Sequence, residues 1–558
     1  MKRKIWLLTI AIVAVAFGIF SLIRLATYKP IITYQPVIKA AEADEITIAA
    51  LAMHSSQQYP ADDINIATRS INTQVFEGLT GLDKNFKLEP KLAKSWDNPD
   101  NLTWRFYLRK GVTFHDGSNF TADDVKFTID ETKKKSFYGQ SFLSTLESVK
   151  VIDDYTVELK TKKPDPALAN KLAFVWIFNK NYLNEDGTIN SIGTGPYKLE
   201  EWDKNEQYVI LTSNENYWGD VPKVKKVTWK SFNTDDERLK AVEDGKADIA
   251  YITVEGGEAV NKGRKNGKVT ILTGSGIYIF FVGFDVANEI SPYIHGLNTN
   301  PLKDIRVRKA IYQGIDVDQV IKETFGELAR VENQPVTKDI FGYNPEIKRY
   351  PYDLEASKRL LAEAGYPDGF EVDIDATVYE MNIIEAIAKS LEKTGLKVNP
   401  IFRGGTEEEP DYEDYDAWSN GDTSLYTFWI NADYGDAIQV LVDFFHTPDA
   451  DDYTMRTLGM YNVGRYSNPE LDKLIDKANV TMNPRERLAY MQQALKMVHE
   501  DVVVVPLFTT EMGYAVNPDI LFDPRPDSDI RAYEIAKKKI EYQAIEEKKN
   551  AWAIIFGF

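Results

Sequence analysis

The residue types that most often perform catalysis are few and scattered in this chain. Its 558 residues include no cysteine, which excludes disulfides, thiol nucleophiles and cysteine-ligated metals. No Gly-x-Ser-x-Gly or His-Glu-x-x-His frame occurs. The five histidines do not have the spacing of metal ligands: His54, His115, His295, His446 and His499. The sequence therefore predicts no enzyme, no catalytic residue, no metal site and no cofactor.

Two segments have the composition of known ligand-binding loops but not their order. The run from Glu407 to Asp416 has seven carboxylates in ten residues. A calcium loop would need alternating oxygen ligands, a central glycine and a closing glutamate, so we expect a solvated loop. Gly193-Thr194-Gly195-Pro196-Tyr197 lacks the third glycine of a dinucleotide site and the Lys-Ser/Thr of a P-loop. It predicts a sharp turn before a strand.

The overall charge limits the kinds of partner. The formal net charge is −19, and this excess of carboxylates argues against nucleic acid, because phosphate binding needs a basic surface. Solubility explains the charge, and attraction of cationic substrates is the alternative. Aromatic residues make up 12% of the chain. They are typical of a core, and also of a cleft that holds extended or apolar ligands.

An apolar segment lies near the N-terminus. Residues 5–23 are uncharged, follow Lys2, Arg3 and Lys4, and would span about one hydrocarbon core as a helix. The basic flank predicts a transmembrane signal anchor with the rest of the chain outside. A cleaved signal peptide is the alternative, but the nearby Ala41-x-Ala43 lies far beyond the apolar run. Residues 24–43 would form a stalk, and the role of residues 543–558 is left open.

The elements that position any site follow an α/β pattern. Leu102 to Arg109 alternates apolar and polar residues and predicts a half-buried strand, with a second strand from Val112 to Phe114 and a turn at Gly117. Thr121 predicts a helix N-cap. Further on, Pro301 to Phe325 has the spacing of a helix pair.

Helix starts and charged helix residues also give specific predictions. Capping boxes are predicted where Thr234 precedes Glu237 and where Ser467 precedes Glu470, and Asn483-Pro484 predicts a further helix start. In the first helix of the pair, Arg306 and Arg308 are expected to form ion pairs with neighbouring acidic residues.

Several of these segments together resemble the signature of the family 5 extracellular solute-binding proteins, the oligopeptide and dipeptide receptors of ABC importers. The similarity covers about residues 45–515. It rests on the following segments: Leu92-Ala93, Ser95-Trp96, Trp104 to Gly117, Thr121 to Phe127, Phe76 to Leu79, Gly193 to Tyr197, Asn216 to Gly219, Leu360 to Gly369 and Tyr466 to Asp472. The lipobox cysteine usual in the family is missing.

The resemblance implies a periplasmic-binding-protein-like α/β fold. It has three lobes and a ligand cleft between two of them. Lobe I would comprise residues 44–75, 193–280 and 504–540, lobe II residues 76–192, and lobe III residues 281–503. Closure of two lobes over the ligand would present a new surface to the permease. With the N-terminal helix, this describes a monomeric receptor on the outer face of the cytoplasmic membrane.

The segment Trp429-Ile430-Asn431-Ala432-Asp433-Tyr434-Gly435-Asp436 resembles the family motif in which the first aspartate of peptide-binding members receives the ligand's α-ammonium. The resemblance assigns this role to Asp433, with Trp429 and Tyr434 as neighbouring walls. The chemistry is sound, because a buried cation requires a paired carboxylate and a charge-assisted bond fixes the direction of the ligand.

The chain departs from that motif in two ways. An extra residue separates Trp429 from Asp433, and Ala437 stands where the family has proline. A structural role is therefore the alternative, in which Asp433 caps a helix beginning near Ile438 or pairs with an arginine.

Three functions follow from the resemblance. The first is a receptor that captures extended oligopeptides, by strand-like hydrogen bonds and roomy pockets, for an ABC permease. The second is a receptor for a non-peptide solute such as an oligosaccharide or a metal chelate. The third is a surface sensor or chaperone-like protein on the same scaffold.

Overall fold

A computed structural model describes residues 2–28, 31–53, 65–180, 191–203, 207–253, 257–403, 421–448 and 458–547. The chain divides into two compact units. The terminal unit comprises Met1–Glu42 and Ala536–Phe558, and the main unit comprises Ala43–Ile535. His54 and the acidic run from Glu407 to Asp416 lie outside the described residues.

The described helices are distributed along the whole chain. The α-helices are α1 (Lys2–Thr27), α2 (Ile66–Val75), α3 (Ala122–Lys135), α4 (Phe137–Phe142), α5 (Leu168–Lys171), α6 (Asp235–Glu243), α7 (Gly257–Asn266), α8 (Ile305–Gly314), α9 (Val317–Thr324), α10 (Leu354–Glu363), α11 (Met381–Glu392), α12 (Ile438–Val440), α13 (Pro469–Val480) and α14 (Pro484–Glu500). A π-helix, Leu441–Phe445, continues α12. Single 3-10 turns are Leu172–Phe174, Pro301–Lys303, Val378–Glu380 and Ala532–Glu534.

The strands alternate with these helices, as expected for an α/β protein. They are β1 (Ile31–Ala41), β2 (Ala43–Ala50), β3 (Thr80–Leu82), β4 (Leu88–Pro90), β5 (Ala93–Asp100), β6 (Thr103–Leu108), β7 (Leu146–Asp153), β8 (Thr156–Thr161), β9 (Tyr197–Asp203), β10 (Tyr208–Ser213), β11 (Val224–Ser231), β12 (Ile249–Ile252), β13 (Thr270–Phe284), β14 (Ile294–His295), β15 (Ala329–Val331), β16 (Glu371–Thr377), β17 (Lys397–Arg403), β18 (Leu425–Ile430), β19 (Val504–Val516), β20 (Ile520–Leu521) and β21 (Ala536–Glu547).

The terminal unit combines one long helix with a two-stranded ribbon. In α1, the window Thr9–Ala26 has a mean hydropathy of 2.2 and is long and apolar enough to cross a membrane; a signal sequence would have the same properties. Strands β1 and β21 pair antiparallel, with Ile31 opposite Glu547 and Ala41 opposite Lys537. Most of the predicted stalk of residues 24–43 is therefore strand, and residues 543–547 of the C-terminal segment belong to the ribbon.

A twelve-stranded mixed sheet organises the main unit. Its strand order is β14-β16-β18-β13-β19-β12-β2-β11-β10-β9, with β15 beside β19 and β17 beside β16. The strands β13 and β19 are the longest pair in this sheet, and their register shifts between Ser275 and Ile279. Such a shift is a β-bulge, which bends a strand and changes the direction of its side chains.

A separate four-stranded antiparallel sheet, in the order β5-β6-β8-β7, contains the predicted strand Leu102 to Arg109 as β6. Trp104, Phe106 and Leu108 are buried in it, as their alternation indicates. The second predicted strand, Val112 to Phe114, is wrong. Only an isolated bridge between Thr113 and Asn119 forms there, because the turn at Gly117 leaves too few residues for a ladder.

Most predicted helix starts agree with the structure. Thr121 with Asp124 and Thr234 with Glu237 form capping boxes, and Asn483 caps α14. The helix pair Pro301 to Phe325 forms as a 3-10 turn followed by α8 and α9.

Two local predictions are corrected. The capping residue of α13 is Asn468, not Ser467, because Pro469 occupies the first helical position and makes its predecessor the cap. Arg306 pairs with Asp304 as expected, but Arg308 instead donates to backbone carbonyls, among them that of Val502 at 3.0 Å.

Candidate ligand-binding site

Asp433 lies just beyond the end of β18, on the wall of a cavity in the main unit. This first cavity measures about 790 Å³, including the part open to solvent, and is also lined by Arg69, Glu77 and Arg531. Ile277, inside the bulge of β13, lines it as well. The bulge and the end of β18 thus bring an apolar and an acidic side chain to the same space.

The carboxylate of Asp433 is held by two side-chain amides. It accepts hydrogen bonds from Asn431 Nδ2 and, at 3.2 Å, from Gln439 Nε2. Burial raises its pKa, and the charge of Arg69 and the two amide hydrogen bonds oppose that shift. Among the described residues, no lysine, arginine or histidine forms an ion pair with Asp433. The carboxylate is therefore oriented by the amides, and in the described part of the chain it interacts with the charge of Arg69 without a direct ion pair.

Neither structural alternative for Asp433 is realised in the described part of the chain. The carboxylate at the start of α12 is that of Asp436, whose Oδ1 accepts from the backbone N–H of Ile438 at 3.0 Å. Asp436 is also the aspartate that pairs with a buried arginine, because Arg487 contacts both of its oxygens at 2.5 and 2.9 Å. Two aspartates of the same motif thus have different surroundings, and only Asp436 is saturated.

The opposite wall of the first cavity is a network of buried ion pairs. Arg69 Nε lies 2.9 Å from Asp529 Oδ1, and Arg531 contacts both Asp527 and Asp529. Burial lowers the pKa of Arg69, but the neighbouring carboxylates, Asp529 above all, outweigh it and raise that pKa. Burial raises the pKa of Asp527, and Arg531 and Arg525 outweigh it, so that this pKa falls to about 2. The charges of this wall neutralise one another.

Three of the sequence motifs meet at the buried carboxylate of Glu77, because Glu77 belongs to one of them and bonds to residues of the other two. It accepts from Thr194 Oγ1 at 2.9 Å, from Tyr217 Oη at 2.8 Å and from Trp218 Nε1 at 2.8 Å. Burial raises its pKa, and these hydrogen bonds oppose the shift. These hydrogen bonds therefore hold the three motif segments together at the wall of the first cavity.

The glycines of Gly193-Thr194-Gly195 allow the backbone to approach α2 closely. A Cβ atom at Gly193 would lie 1.9 Å from the carbonyl oxygen of Val75, and one at Gly195 would lie 2.3 Å from that of Gln74. The backbone N–H of Gly195 donates to the Val75 carbonyl at 3.0 Å. The turn predicted here is thus a packing requirement.

Trp429 does not share the first cavity with Asp433. Its ring packs against Phe280 at 4.9 Å and Phe508 at 6.2 Å between centroids, in the core beside the sheet. Consecutive residues of a strand face opposite sides, so Trp429 and its neighbour Ile430 enter different clusters.

Tyr434 lines a second cavity, of about 1290 Å³ including the part open to solvent. Lys162, Lys163, Lys171 and Asp443 also line it. Lys171 is buried, lies 2.8 Å from Asp165 and stands 5.9 Å from the centroid of the Tyr434 ring. The backbone carbonyl of Tyr434 accepts from Asn170 Nδ2 at 2.9 Å. Residues from 141–171 and from 434–479 thus enclose one space.

Gln439 lies between the two cavities. Its Nε2 reaches Asp433 on the first cavity, and its side chain lines the second. Its Oε1 is buried and has no hydrogen-bond partner among the described residues. One turn along the helix, Asp443 has a pKa raised to about 7 by burial, against the opposing charge of Lys171 and with a further increase from Asp433. Asp433 and Asp443 therefore interact electrostatically although they line different cavities.

Comparison with protein families identifies the scaffold. The model of bacterial extracellular solute-binding proteins, family 5, matches residues 87–452, well over half of the chain. The chain belongs to this family. A family 5 protein is an extracytoplasmic substrate-binding protein that binds a small solute and delivers it to an ABC permease.

Family 5 relatives differ in the solutes for which they are named. Heme-binding protein A of Haemophilus influenzae is 27% identical over 480 residues, which is 79% of this chain and 82% of the relative. Glutathione-binding protein GsiB of Pectobacterium atrosepticum is 26% identical over 507 residues, covering 86% and 93%. The periplasmic binding protein DppA of Helicobacter pylori, solved with the peptide STSA, superposes with a TM-score of 0.70 at 24% identity, covering 89% of this chain and 99% of that one. The shared fold is the periplasmic-binding-protein-like α/β fold.

The sequence motif predicts Asp433 as the ammonium-binding residue with Trp429 and Tyr434 as neighbouring walls, but Tyr434 lines the second cavity and not the first. The motif does not indicate the other residues that surround Asp433 and Tyr434. Arg69, Lys171 and Asp443 belong to no motif quoted for the family. Asp527 and Asp529 lie in the segment RPDSDIR, where alternating charges could have indicated a paired network.

Proposed function

We propose that this family 5 protein is a receptor that captures extended oligopeptides and passes them to an ABC permease. The observation that carries the proposal is Asp433, a buried carboxylate held by two amides that forms no direct ion pair among the described residues. An α-ammonium group would supply the missing charge, and a charge-assisted hydrogen bond would fix the orientation of the peptide.

The ammonium role is tested with defined peptides. Alanine peptides of two to six residues, with free or acetylated N-termini, are titrated into the full-length protein by calorimetry. We expect acetylation to weaken binding about tenfold or more, because a hydrogen bond to a charged group contributes about 1.5–3 kcal/mol. The same loss is expected for Asp433→Asn with free peptides. Asp519→Asn, an exposed aspartate, is the matched control.

Equal affinity for free and acetylated peptides would show that Asp433 does not receive an ammonium group. Native mass spectrometry of the protein as purified adds an independent readout, because a peptide receptor should carry peptides of a narrow length range.

The three-lobe arrangement and its closure are part of the same proposal. Lobe I would comprise residues 44–75, 193–280 and 504–540, lobe II residues 76–192, and lobe III residues 281–503. The hydrogen bond from Asn170 to Tyr434 supports contact between lobes II and III. Because the chain has no cysteine, Glu147→Cys and Asp476→Cys can carry a fluorophore pair. Saturating peptide should raise energy transfer between them if the lobes close.

We also propose that α1 stays attached and anchors the receptor in the cytoplasmic membrane, with the main unit outside. The apolar window Thr9–Ala26 and the basic residues before it support this orientation. Intact mass spectrometry of membrane-extracted protein decides the matter, since a cleaved leader would remove the mass of the helix.

A second candidate is a receptor for a non-peptide solute. The relatives named for heme and glutathione favour it, because the same scaffold takes chemically different ligands. Addition of heme followed by absorbance spectroscopy tests one such ligand directly. A Soret shift with saturation at one equivalent, in a protein that ignores every alanine peptide, would favour this candidate.

A further inference from the structure

The ribbon of β1 and β21 has one apolar face. Directly paired residues of an antiparallel ribbon share a face, as do residues two positions apart along a strand. Ile38 pairs with Ile540, and Pro36 pairs with Tyr542. The apolar face comprises six exposed residues of the ribbon: Pro36, Ile38, Ala40, Ile540, Tyr542 and Ala544. Ile38, Ile540 and Tyr542 are each more than half exposed. Contiguous exposed apolar surface of this kind marks contact with another molecule or with a membrane.

The opposite face of the ribbon is polar. On it, Gln35 pairs with Gln543 and Lys39 pairs with Lys539. Both lysines contact the carboxylate of Glu541, at 2.5 and 3.1 Å. The ribbon is therefore amphipathic, as is expected of an element that lies at the boundary between water and lipid.

The ribbon begins close to the end of the apolar helix. Helix α1 ends at Thr27 and β1 begins at Ile31, and the chain between these two residues spans at most about 14 Å. Glu547, the last residue of β21, pairs with Ile31, so both strands reach this end. With α1 across the membrane, as proposed above, the ribbon starts in or beside the headgroup layer.

The charge of this part of the chain favours lipids with anionic headgroups. The whole chain has a net charge of −19, but residues 24–42 and 536–558 contain eight lysines and arginines against four glutamates. Basic residues beside a membrane-spanning helix are attracted to anionic lipids. Lys538, which is opposite Ala40, lies at one end of the apolar face itself. The terminal unit is thus basic, and the excess of carboxylates belongs to the main unit.

The sequence that follows β21 has a composition that suits the same surface. Residues 548–558 lie outside the described residues. Lys548 and Lys549 come first, followed by Trp552 and an uncharged run to Phe558. Tryptophan is enriched at membrane interfaces, and lysine is attracted to anionic headgroups. This sequence starts directly after Glu547, at the end of the ribbon nearest α1.

We propose that the apolar face of the ribbon lies on the outer surface of the membrane, against lipids with anionic headgroups. The ribbon then runs along the membrane and does not stand upright as a stalk. This inference rests on the proposed anchoring by α1 and adds a second, peripheral contact with the same membrane.

The test uses single cysteines in the full-length chain, which has none of its own. Each carries an environment-sensitive fluorophore, and the protein is reconstituted in vesicles of phosphatidylcholine and phosphatidylglycerol with a nitroxide-labelled lipid. Ala40→Cys reports on the apolar face at the end far from α1, about 30 Å along β1 from Ile31. Gln543→Cys, on the polar face but nearer to α1, is the matched control.

We expect quenching by the labelled lipid to be about twofold or more stronger at position 40 than at position 543, because an amphipathic element buries its apolar face about 5–10 Å into the lipid boundary. An upright ribbon gives the reverse order, since position 543 is then closer to the headgroups than position 40. That result would overturn the inference.

Variants of the apolar face identify the groups involved. With the fluorophore at position 40, Ile540→Thr combined with Tyr542→Thr should lower the quenching about twofold or more, because apolar area is lost from the lipid contact. Threonine keeps a high β-propensity, so the ribbon stays paired. Gln35→Thr combined with Gln543→Thr, on the polar face, should leave the quenching unchanged. Vesicles of phosphatidylcholine alone should give weaker quenching than those with phosphatidylglycerol.

The remaining outcomes separate this inference from the anchor on which it rests. A blue-shifted fluorophore at position 40 that the labelled lipid does not quench means that protein covers the face, either residues 548–558 or a second copy, and overturns the inference. Equal quenching in the two kinds of vesicle overturns the preference for anionic lipid. If intact mass spectrometry of the same sample finds α1 removed, the anchor proposal fails and this inference fails with it. If α1 is present and position 40 is not quenched, the anchor stands and only this inference falls.

Discussion

The two cavities of the main unit use charged residues in different ways. In the first, Arg69 and Arg531 are matched by Asp527 and Asp529. Asp433 and Glu77 form no ion pair in the described chain, but Glu77 accepts three hydrogen bonds from the frame of the cavity. In the second, exposed lysines stand at the rim, and burial raises the pKa of the one carboxylate, Asp443, to about 7. Charges that are paired and buried serve the architecture, whereas charges left without partners are available to a ligand.

The largest expected effect comes from breaking the network of buried ion pairs in the wall of the first cavity. Asp529→Ala leaves Arg69 and Arg531 buried with fewer partners, and breaking a buried ion pair costs about 3–5 kcal/mol of the free energy of unfolding. The midpoint of urea denaturation should fall accordingly, with an unchanged m-value. A loss below about 1 kcal/mol would mean that the remaining carboxylates rearrange and that the wall is not a specific network.

An intermediate effect concerns the pH dependence of stability through Asp443. Its pKa is about 7 in the folded protein, above the value of about 4 of an unfolded aspartate, so the folded state holds the proton longer. This contribution to stability is complete below about pH 4 and is lost as the pH rises to about 7.

Asp443→Asn should therefore be more stable than wild type at pH 8, by about 1–4 kcal/mol in the free energy of unfolding. The variant should also lack the decrease in stability that the wild type shows between about pH 4 and pH 7. Thermal unfolding from pH 4 to 8 measures the difference. Parallel curves for the two proteins would indicate that Lys171 keeps the carboxylate ionised throughout.

The smallest expected effect on stability is that of a charge in the second cavity, in contrast to the paired charges of the first. Lys163→Gln removes an exposed charge without an ion-pair partner in the described chain, so the free energy of unfolding should change by less than about 0.5 kcal/mol. Denaturation in urea, compared with Asp529→Ala, checks this. A large loss of stability would make Lys163 part of the architecture rather than a group available to a ligand.

Local features of the sequence predicted local structure well. The alternation in Leu102 to Arg109 and the caps at Thr121 and Asn483 depend only on neighbouring residues, and all three are confirmed. The cap of α13 lies one residue beyond the predicted Ser467, because Pro469 occupies the first helical position and makes Asn468 the cap. The strand at Val112 failed because a strand needs a partner, which local pattern does not reveal.

The site could be predicted only in part, because its residues are distant in sequence and are brought together only by the pairing of strands and the folding of the main unit. Asp433 was found through its motif, but the strand geometry that turns Trp429 into the core depends on register. Arg69 and Asp529 are 460 positions apart in the chain and meet only in the folded main unit. Nothing in the spacing of Lys163 and Asp443 indicates a shared cavity. The chemistry of each residue can be read from the sequence, but which distant residues lie close together cannot.

The ribbon of β1 and β21 has a consequence for limited proteolysis of the chain. Ala41 pairs with Lys537, and the chain continues from these two strands into the main unit through Glu42–Ala43 and Ile535–Ala536. A protease that cuts between Ala41 and Ala43 would sever one connection, but the eleven paired residues of the ribbon would still hold the two pieces together. Release would require a second cut near Ile535. Complete separation of the main unit from the ribbon thus takes two cuts.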